Sequence, residues 1–190
     1  SINKARQEGP HAHQVAVHPN KKDIFIIDLG IDTLKAYGFQ GTEMVPVNRK
    51  DVAVTKGGGP RHLVFNRDGN LAYVLNELTG SISVLHHQGY KFVEIETYSS
   101  LPSNFSGQPS ASAIRIHPNG KFLYAANRKL EAISIFEIEE ARLRILEYQY
   151  TGGEELREFN ITPCGKWLIA CHQNSHDTVV FKIKNDGTLF

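Results

Sequence analysis

Methionine and tryptophan occur once each in these 190 residues, and cysteine only twice. Cys164 falls in a turn and Cys171 at the far end of the next strand, so the pair is expected at opposite ends of one hairpin, as reduced thiols rather than a disulfide framework. Neither sign of charge dominates: 21 Lys and Arg against 20 Asp and Glu leave a formal charge of +1. No block of like charge suggests a nucleic-acid or membrane surface. No apolar stretch is long enough to span a bilayer, and residues 1–10 lack the apolar core of a signal peptide, which together predict a cytoplasmic protein. Metal motifs of the CxxC or HExxH kind are missing, and no carboxylate cluster replaces them. There is no Walker loop, dinucleotide fingerprint or GxSxG elbow, and the glycines at 57–59 precede a strand, where phosphate loops precede a helix. The GH…WD marks of the commonest interaction repeat are also missing. Metals and cofactors are therefore not expected. Nor is a helix, because no long segment spaces its apolar residues at 3.6.

What the chain does contain is one pattern repeated. From Gly57 to Glu77, a glycine-proline loop leads into Leu63-Val64-Phe65, then the turn Asn66-Arg67-Asp68-Gly69, then a second apolar run from Leu71 to Leu75. Two such runs about an Asp-Gly turn read as a β-hairpin. The same unit recurs at 15–29, 113–128 and 159–173, with Pro19, Arg67, Pro118 and Pro163 in register and spacings of 48, 51 and 45 residues. A third apolar run follows each hairpin, and a looser fourth follows the first three. Four short strands at this period are the mark of a β-propeller blade. The expectation is an all-β propeller of about four four-stranded antiparallel blades, near 10–57, 58–107, 108–153 and 154–190. Innermost strands are expected at 15–18, 63–66, 113–117 and 159–162. The chain opens without Met and stops before a fourth strand of the last blade, which suggests a part of a larger ring. The remaining blades are then expected elsewhere in the protein or on a partner chain.

A hairpin brings its open ends together, so the residues flanking it meet at one edge. Six residues before each turn position stand His13, Arg61, Ser112 and Arg157; after each second strand come Asp28-Leu29, Asn76-Glu77, Asn127-Arg128 and His172-Gln173. First strands of a propeller line its channel, so these residues are expected at one mouth of it. Arg, His, Asn and acid gathered there are not needed to fold a blade. His13, Arg61, Glu77 and Arg128 are the candidate catalytic residues. His11, Asp28, Asn76, Asn127, Arg157 and Gln173 are candidates for substrate binding. The same residues also suit a plain ion-pair network between blades. His18 and His117 precede turn prolines and are assigned to the turns, His86 and His87 to solvent, and Trp167 to the core between blades.

Several stretches resemble a known family: EGPHAHQVAVHP, DLGIDTLKAY, GGGPRHLVFNRDGNLAYVLNE, SSLPSNFSG, HPNGKFLYAANR and TPCGKWLIACHQNSHDTVVFKI. They are similar, in order and over essentially the whole chain, to the lactonase family of seven-bladed propellers. That family includes a 6-phosphogluconolactonase and a fungal-type carboxymuconate lactonizing enzyme. The resemblance implies the C-terminal part of such a ring, with the family's active-site His, Arg, Glu and Arg at His13, Arg61, Glu77 and Arg128. Departures are Lys129-Leu130-Glu131-Ala132 where the family often has GHDS, Ala113 for an acid, Leu156 for a proline and His172 for an asparagine.

Hydrolysing a lactone requires a water deprotonated near neutral pH and positive charge where the carbonyl oxygen becomes an oxyanion. Either Glu77 or His13 suits the base, while Arg61 and Arg128 suit the oxyanion or a phosphate. A lactonizing enzyme uses the same parts, its arginines holding carboxylates while a base moves a proton at carbon. Both imply a small anionic substrate; a non-catalytic propeller binding a metabolite or protein is the third reading. A phosphorylated sugar lactone is the favoured substrate on family breadth. The thiol reading has a direct check: labelling the unreduced protein in denaturant should count two thiols per chain, and a count of zero would establish a disulfide.

Overall fold

A computed structural model describes residues 3–190. Sixteen strands form four antiparallel sheets that follow one another along the chain as propeller blades. The first contains β1 (Ala12–Val17), β2 (Ile24–Asp28), β3 (Thr33–Gln40), β4 (Glu43–Pro46) and the short β5 (Val52–Ala53). The second is built from β6 (Pro60–Phe65), β7 (Leu71–Asn76), β8 (Ser81–Gln88) and β9 (Lys91–Ser99). The third comprises β10 (Ala111–Ile116), β11 (Phe122–Asn127), β12 (Ala132–Glu139) and β13 (Arg142–Tyr150). The fourth has three strands, β14 (Leu156–Ile161), β15 (Trp167–His172) and β16 (Thr178–Lys182). Among the described residues the single helical turn is a 3-10 turn, Asn48–Lys50. It splits the outer strand of the first sheet, so that β4 pairs with the far end of β3 and β5 with its start. Among the described residues no helix is long and apolar enough to cross a membrane.

The second strands show how a continuous apolar run makes a propeller. Every residue of β7 and β11 is buried, and successive side chains point to opposite faces. Ala72 and Val74 pack with Phe25, Ile27, Leu34 and Leu63 between the first and second sheets. Leu71, Tyr73 and Leu75 pack with Ile114, Leu123 and Phe136 between the second and third. In β11, Leu123 and Ala125 face backward while Phe122, Tyr124 and Ala126 face forward, against Phe159, Leu168 and Phe181 of the fourth sheet. Each strand thus serves two interfaces. Trp167 is 43% exposed, on a face of β15 that it shares with Ile169 and that faces away from the third sheet. His87 is not simply solvated, since its ring lies 5.1 Å from that of Phe92.

Turn histidines clasp alternate interfaces. The Asn20 N–H donates to His18 Nδ1, so the ring proton sits on Nε2, which donates to the Gly69 carbonyl of the next sheet at 2.8 Å. His117 repeats this with Asn119 and Gly165, again at 2.8 Å. Gly69 and Gly165 have φ of +72 and +70, and a Cβ on either would meet the histidine ring at under 3 Å. A glycine is required at both positions.

The first strands begin earlier than expected, and the reason bears on function. In each sheet the pairing of first and second strand slips near its start. Ala12 faces Asp28 and Gln14 faces Ile27, leaving His13 as an extra residue. Arg61 is extra between Pro60 and His62, and Arg157 between Leu156 and Glu158. In the third sheet the slip falls across Ser112 and Ala113. Such β-bulges bend the strand and re-aim its side chains.

Cys164 and Cys171 are both exposed and unbonded. His18→Ala removes a buried donor and leaves the Gly69 carbonyl unpaired. It should lower the unfolding free energy by about 1–3 kcal/mol in denaturant titrations, with strand content unchanged.

Candidate functional site

Four bulges and four post-strand turns form the site, and backbone hydrogen bonds put them in register. The N–H groups of Leu29, Glu77, Arg128 and Gln173 donate to the carbonyls of His11, Gly59, Ser110 and Glu155, each two residues before a bulge position. The first residue of each post-strand pair is buried and serves its own turn. Asp28 Oδ1 accepts the N–H groups of His11 and Gly30. Asn76 donates to the hydroxyls of Ser81 and Ser83, and Asn127 accepts from the N–H groups of Lys129 and Leu130. His172 bonds the Thr151 hydroxyl at 2.8 Å and stands 2.6 Å from Asp177. The side chains of Asp28, Asn76 and Asn127 are buried and bonded within their own blades, with Asn76 Oδ1 and Asn127 Nδ2 left without a partner among the described residues. The second residue of each pair points the other way, as strand alternation requires.

Glu77 is the centre of the cluster. Its carboxylate is 3% exposed and meets three guanidinium groups. Arg6 Nη2 donates to Oε1 at 2.6 Å. Arg128 Nη2 lies 3.0 Å from the same oxygen, and Arg61 Nε lies 3.0 Å from Oε2. Arg61 also reaches the Ser112 carbonyl of the third sheet through Nη1, and Arg128 Nε reaches the Ser110 carbonyl at 3.2 Å. The side chains of Glu77, Arg61 and Arg128 are buried between the second and third sheets, while that of Arg6 is half exposed.

The histidines are set differently. His13 Nε2 stands 3.9 Å from Glu77 Oε2, with the side chain 29% exposed. Burial and the Arg61 charge hold its pKa below 6.5, so the imidazole is neutral at pH 7. Burial works to raise the Glu77 pKa, but the Arg6 hydrogen bond and the charges of Arg128, Arg6 and Arg61 outweigh it, and the net shift is downward. The cluster thus contains a fixed carboxylate beside a neutral, partly open base. Arg157 is exposed and near enough for its charge to depress the His13 pKa. His11 pairs with Glu8 at 3.0 Å, and it lines with Arg6 and His13 a cavity of about 110 Å³ beside the cluster. Gln173 is exposed, and its side chain makes no hydrogen bond among the described residues.

Two residues escaped the sequence reading. Arg6 lies in the approach segment, which has no counterpart in the repeat. That segment is locked onto the first sheet: Gln7 donates to the Leu29 carbonyl and to Asp32, and a Cβ on Gly30 would collide with the Gly9 carbonyl. His62 follows Arg61 in an ordinary-looking strand, and only the bulge lets the two touch, Arg61 Nη1 lying 3.0 Å from His62 Nε2. Burial and that charge push the His62 pKa down to about 3. Among the described residues no group of His, Cys, Asp and Glu is arranged to hold a metal ion.

Comparisons with known proteins agree with this architecture. A family profile described as lactonase, seven-bladed β-propeller, matches residues 1–189. An uncharacterized protein of Staphylococcus epidermidis is 36% identical over 178 residues, which cover 92% of this chain and 51% of that protein. The chain spans about half the length of the curated relatives it matches. The crystal structure of a candidate 6-phosphogluconolactonase from Bacteroides fragilis superposes with a TM-score of 0.91 at 31% identity, over 99% of this chain and 55% of that one. The periplasmic gluconolactonase of Pseudomonas aeruginosa superposes with a TM-score of 0.85 at 29% identity, over 96% and 53%.

Glu77→Gln leaves three guanidinium groups crowded around a neutral amide. Breaking a buried ion pair from one side costs about 3–5 kcal/mol, which should appear as a large fall in melting temperature. Because the folded pKa of Glu77 lies below its ordinary value of 4.5, its contribution to stability is complete above that pH. It is lost as the pH falls through the folded pKa. Denaturant titrations of the wild type should show this acid loss, and those of Glu77→Gln should show less of it.

Proposed function

The chain belongs to the lactonase family of seven-bladed β-propellers, and we propose that the protein it represents hydrolyses a sugar lactone, most suitably a phosphorylated one. The observation that carries this reading is the pairing of a neutral His13 with an arginine cluster whose one carboxylate is already saturated by cations. A base must be unprotonated at working pH yet able to accept a proton, and its best pKa lies near that pH. His13, with its pKa held below 6.5 and its side chain 29% exposed, is unprotonated and open to accept a proton. Glu77 is not open in this way, because each of its oxygens faces a guanidinium and its pKa is depressed.

In the proposed reaction His13 takes a proton from a water as the water oxygen adds to the lactone carbonyl. The carbonyl π pair moves onto oxygen, where Arg157 and the positive field of Arg61 and Arg128 stabilise the developing charge. Glu77, 3.9 Å from His13 Nε2, stabilises the imidazolium that forms. When the tetrahedral intermediate collapses, the ring C–O bond breaks and the imidazolium returns its proton to the departing alkoxide. The products are a hydroxyacid, ionised at neutral pH, and a regenerated neutral His13. Two exposed free thiols accord with a reducing compartment, and the proposed enzyme is a cytoplasmic one.

His13→Ala should lower kcat/KM for 6-phosphogluconolactone by about a hundredfold to ten-thousandfold in a pH-stat assay of the full-length protein. Since the His13 pKa lies below 6.5, the acid limb of the wild-type profile should fall below that pH. Wild-type turnover with an acid limb at or above 6.5, or a fully active His13→Ala, would overturn the assignment.

A further inference from the structure

Beside the Glu77 cluster lies a second pocket, of about 560 Å³, lined by Arg6, the Phe105–Ser110 loop and Lys129. That is the size of a small-molecule site. It adjoins the reacting centre through shared groups. Arg6 lines the pocket and bonds Glu77. Arg128, next to Lys129 in sequence, is fastened to the Ser110 carbonyl. The donors around the pocket come from three separate segments, and no Asp or Glu lines it. Arg6 commits one N–H group to Glu77 and is 50% exposed, so the rest of its guanidinium is available. Lys129 holds Glu155 at 3.0 Å, but its side chain is 59% exposed and can turn into the pocket. The side chains of Ser106, Gln108 and Ser110 make no hydrogen bonds among the described residues.

Two cations, two hydroxyls and an amide drawn from three segments suit a tetrahedral dianion better than a planar carboxylate, which is satisfied by one bidentate partner. We propose that this pocket binds the phosphate of a phosphorylated substrate, and that Lys129 and Arg6 determine the preference for phosphorylated over plain lactones. This inference rests on the hydrolytic reading of the neighbouring site. The locked approach segment holds Arg6 in place. Lys129 is the adjustable partner that closes on the dianion.

The test compares 6-phosphogluconate with gluconate by calorimetry on the full-length protein, and the phosphorylated with the unphosphorylated lactone in turnover. Wild type should bind 6-phosphogluconate more tightly, and inorganic phosphate should compete. Lys129→Ala should weaken 6-phosphogluconate binding roughly tenfold. It should lower the ratio of kcat/KM for the two lactones by a similar factor, and Lys129→Arg should recover most of both. Equal binding of the two acids by wild type, or equal loss for both in Lys129→Ala, would overturn the pocket. If 6-phosphogluconate binds in a Lys129-dependent way but neither lactone turns over, the phosphate site stands and the hydrolytic reading falls. Turnover of both lactones without discrimination would leave the hydrolytic reading standing and overturn the phosphate site.

Discussion

One carboxylate holds together the part of this molecule where its chemistry gathers. Three guanidinium groups in a largely dehydrated space would repel one another, and desolvation alone depresses the pKa of Arg61. Glu77 makes their proximity tolerable by placing an oxygen within 3.0 Å of each. Because the cations come from the approach segment, the second sheet and the third, the same contacts fasten three stretches of chain across one interface. The net contribution of such a cluster to stability is smaller than its geometry suggests, since burying the charges offsets much of the attraction. Its larger effect is to fix where each positive charge points.

That arrangement assigns different roles to two groups that are both capable of acting as a base. Carboxylates and imidazoles in one site are distinguished by surroundings that drive their protonation apart. Glu77 accepts a hydrogen bond from Arg6 on Oε1, is ion-paired on both oxygens and remains an anion. His13 has only a distant carboxylate and a nearby guanidinium, so it remains neutral. Burial, with the Arg61 charge beside it, keeps a second imidazole, that of His62, uncharged.

The backbone device behind the site is the bulge repeated in all four sheets. It belongs to the fold, and the side chain placed on it is free to vary. In the third sheet the serine at this place bonds the Leu156 carbonyl of the next blade and is purely structural. His13, Arg61 and Arg157 occupy the same place and carry charge or base instead. A fold-level irregularity thus supplies several equivalent positions, of which some are used for cohesion and others for chemistry.

The sequence by itself determined the propeller. Its period, its Asp-Gly and Pro-containing turns and its alternating apolar runs are local signals, each expressed within one hairpin. It also determined that His13, Arg61, Glu77 and Arg128 share an edge, because hairpin ends must meet. It did not determine which neighbours of those residues face the same way. A one-residue bulge changes side-chain direction without leaving a mark in composition, so His62 stayed hidden, and Asp28, Asn76 and Asn127 looked like rim residues when they are turn caps. Arg6 lies outside the repeat, and its place follows from Gln7, Gly9 and Gly30 packing at long range. Burial was likewise decided only in three dimensions. Glu77, Arg61 and Arg128 are enclosed between two sheets, and that enclosure, through desolvation and close cations, keeps Glu77 an anion and His13 neutral.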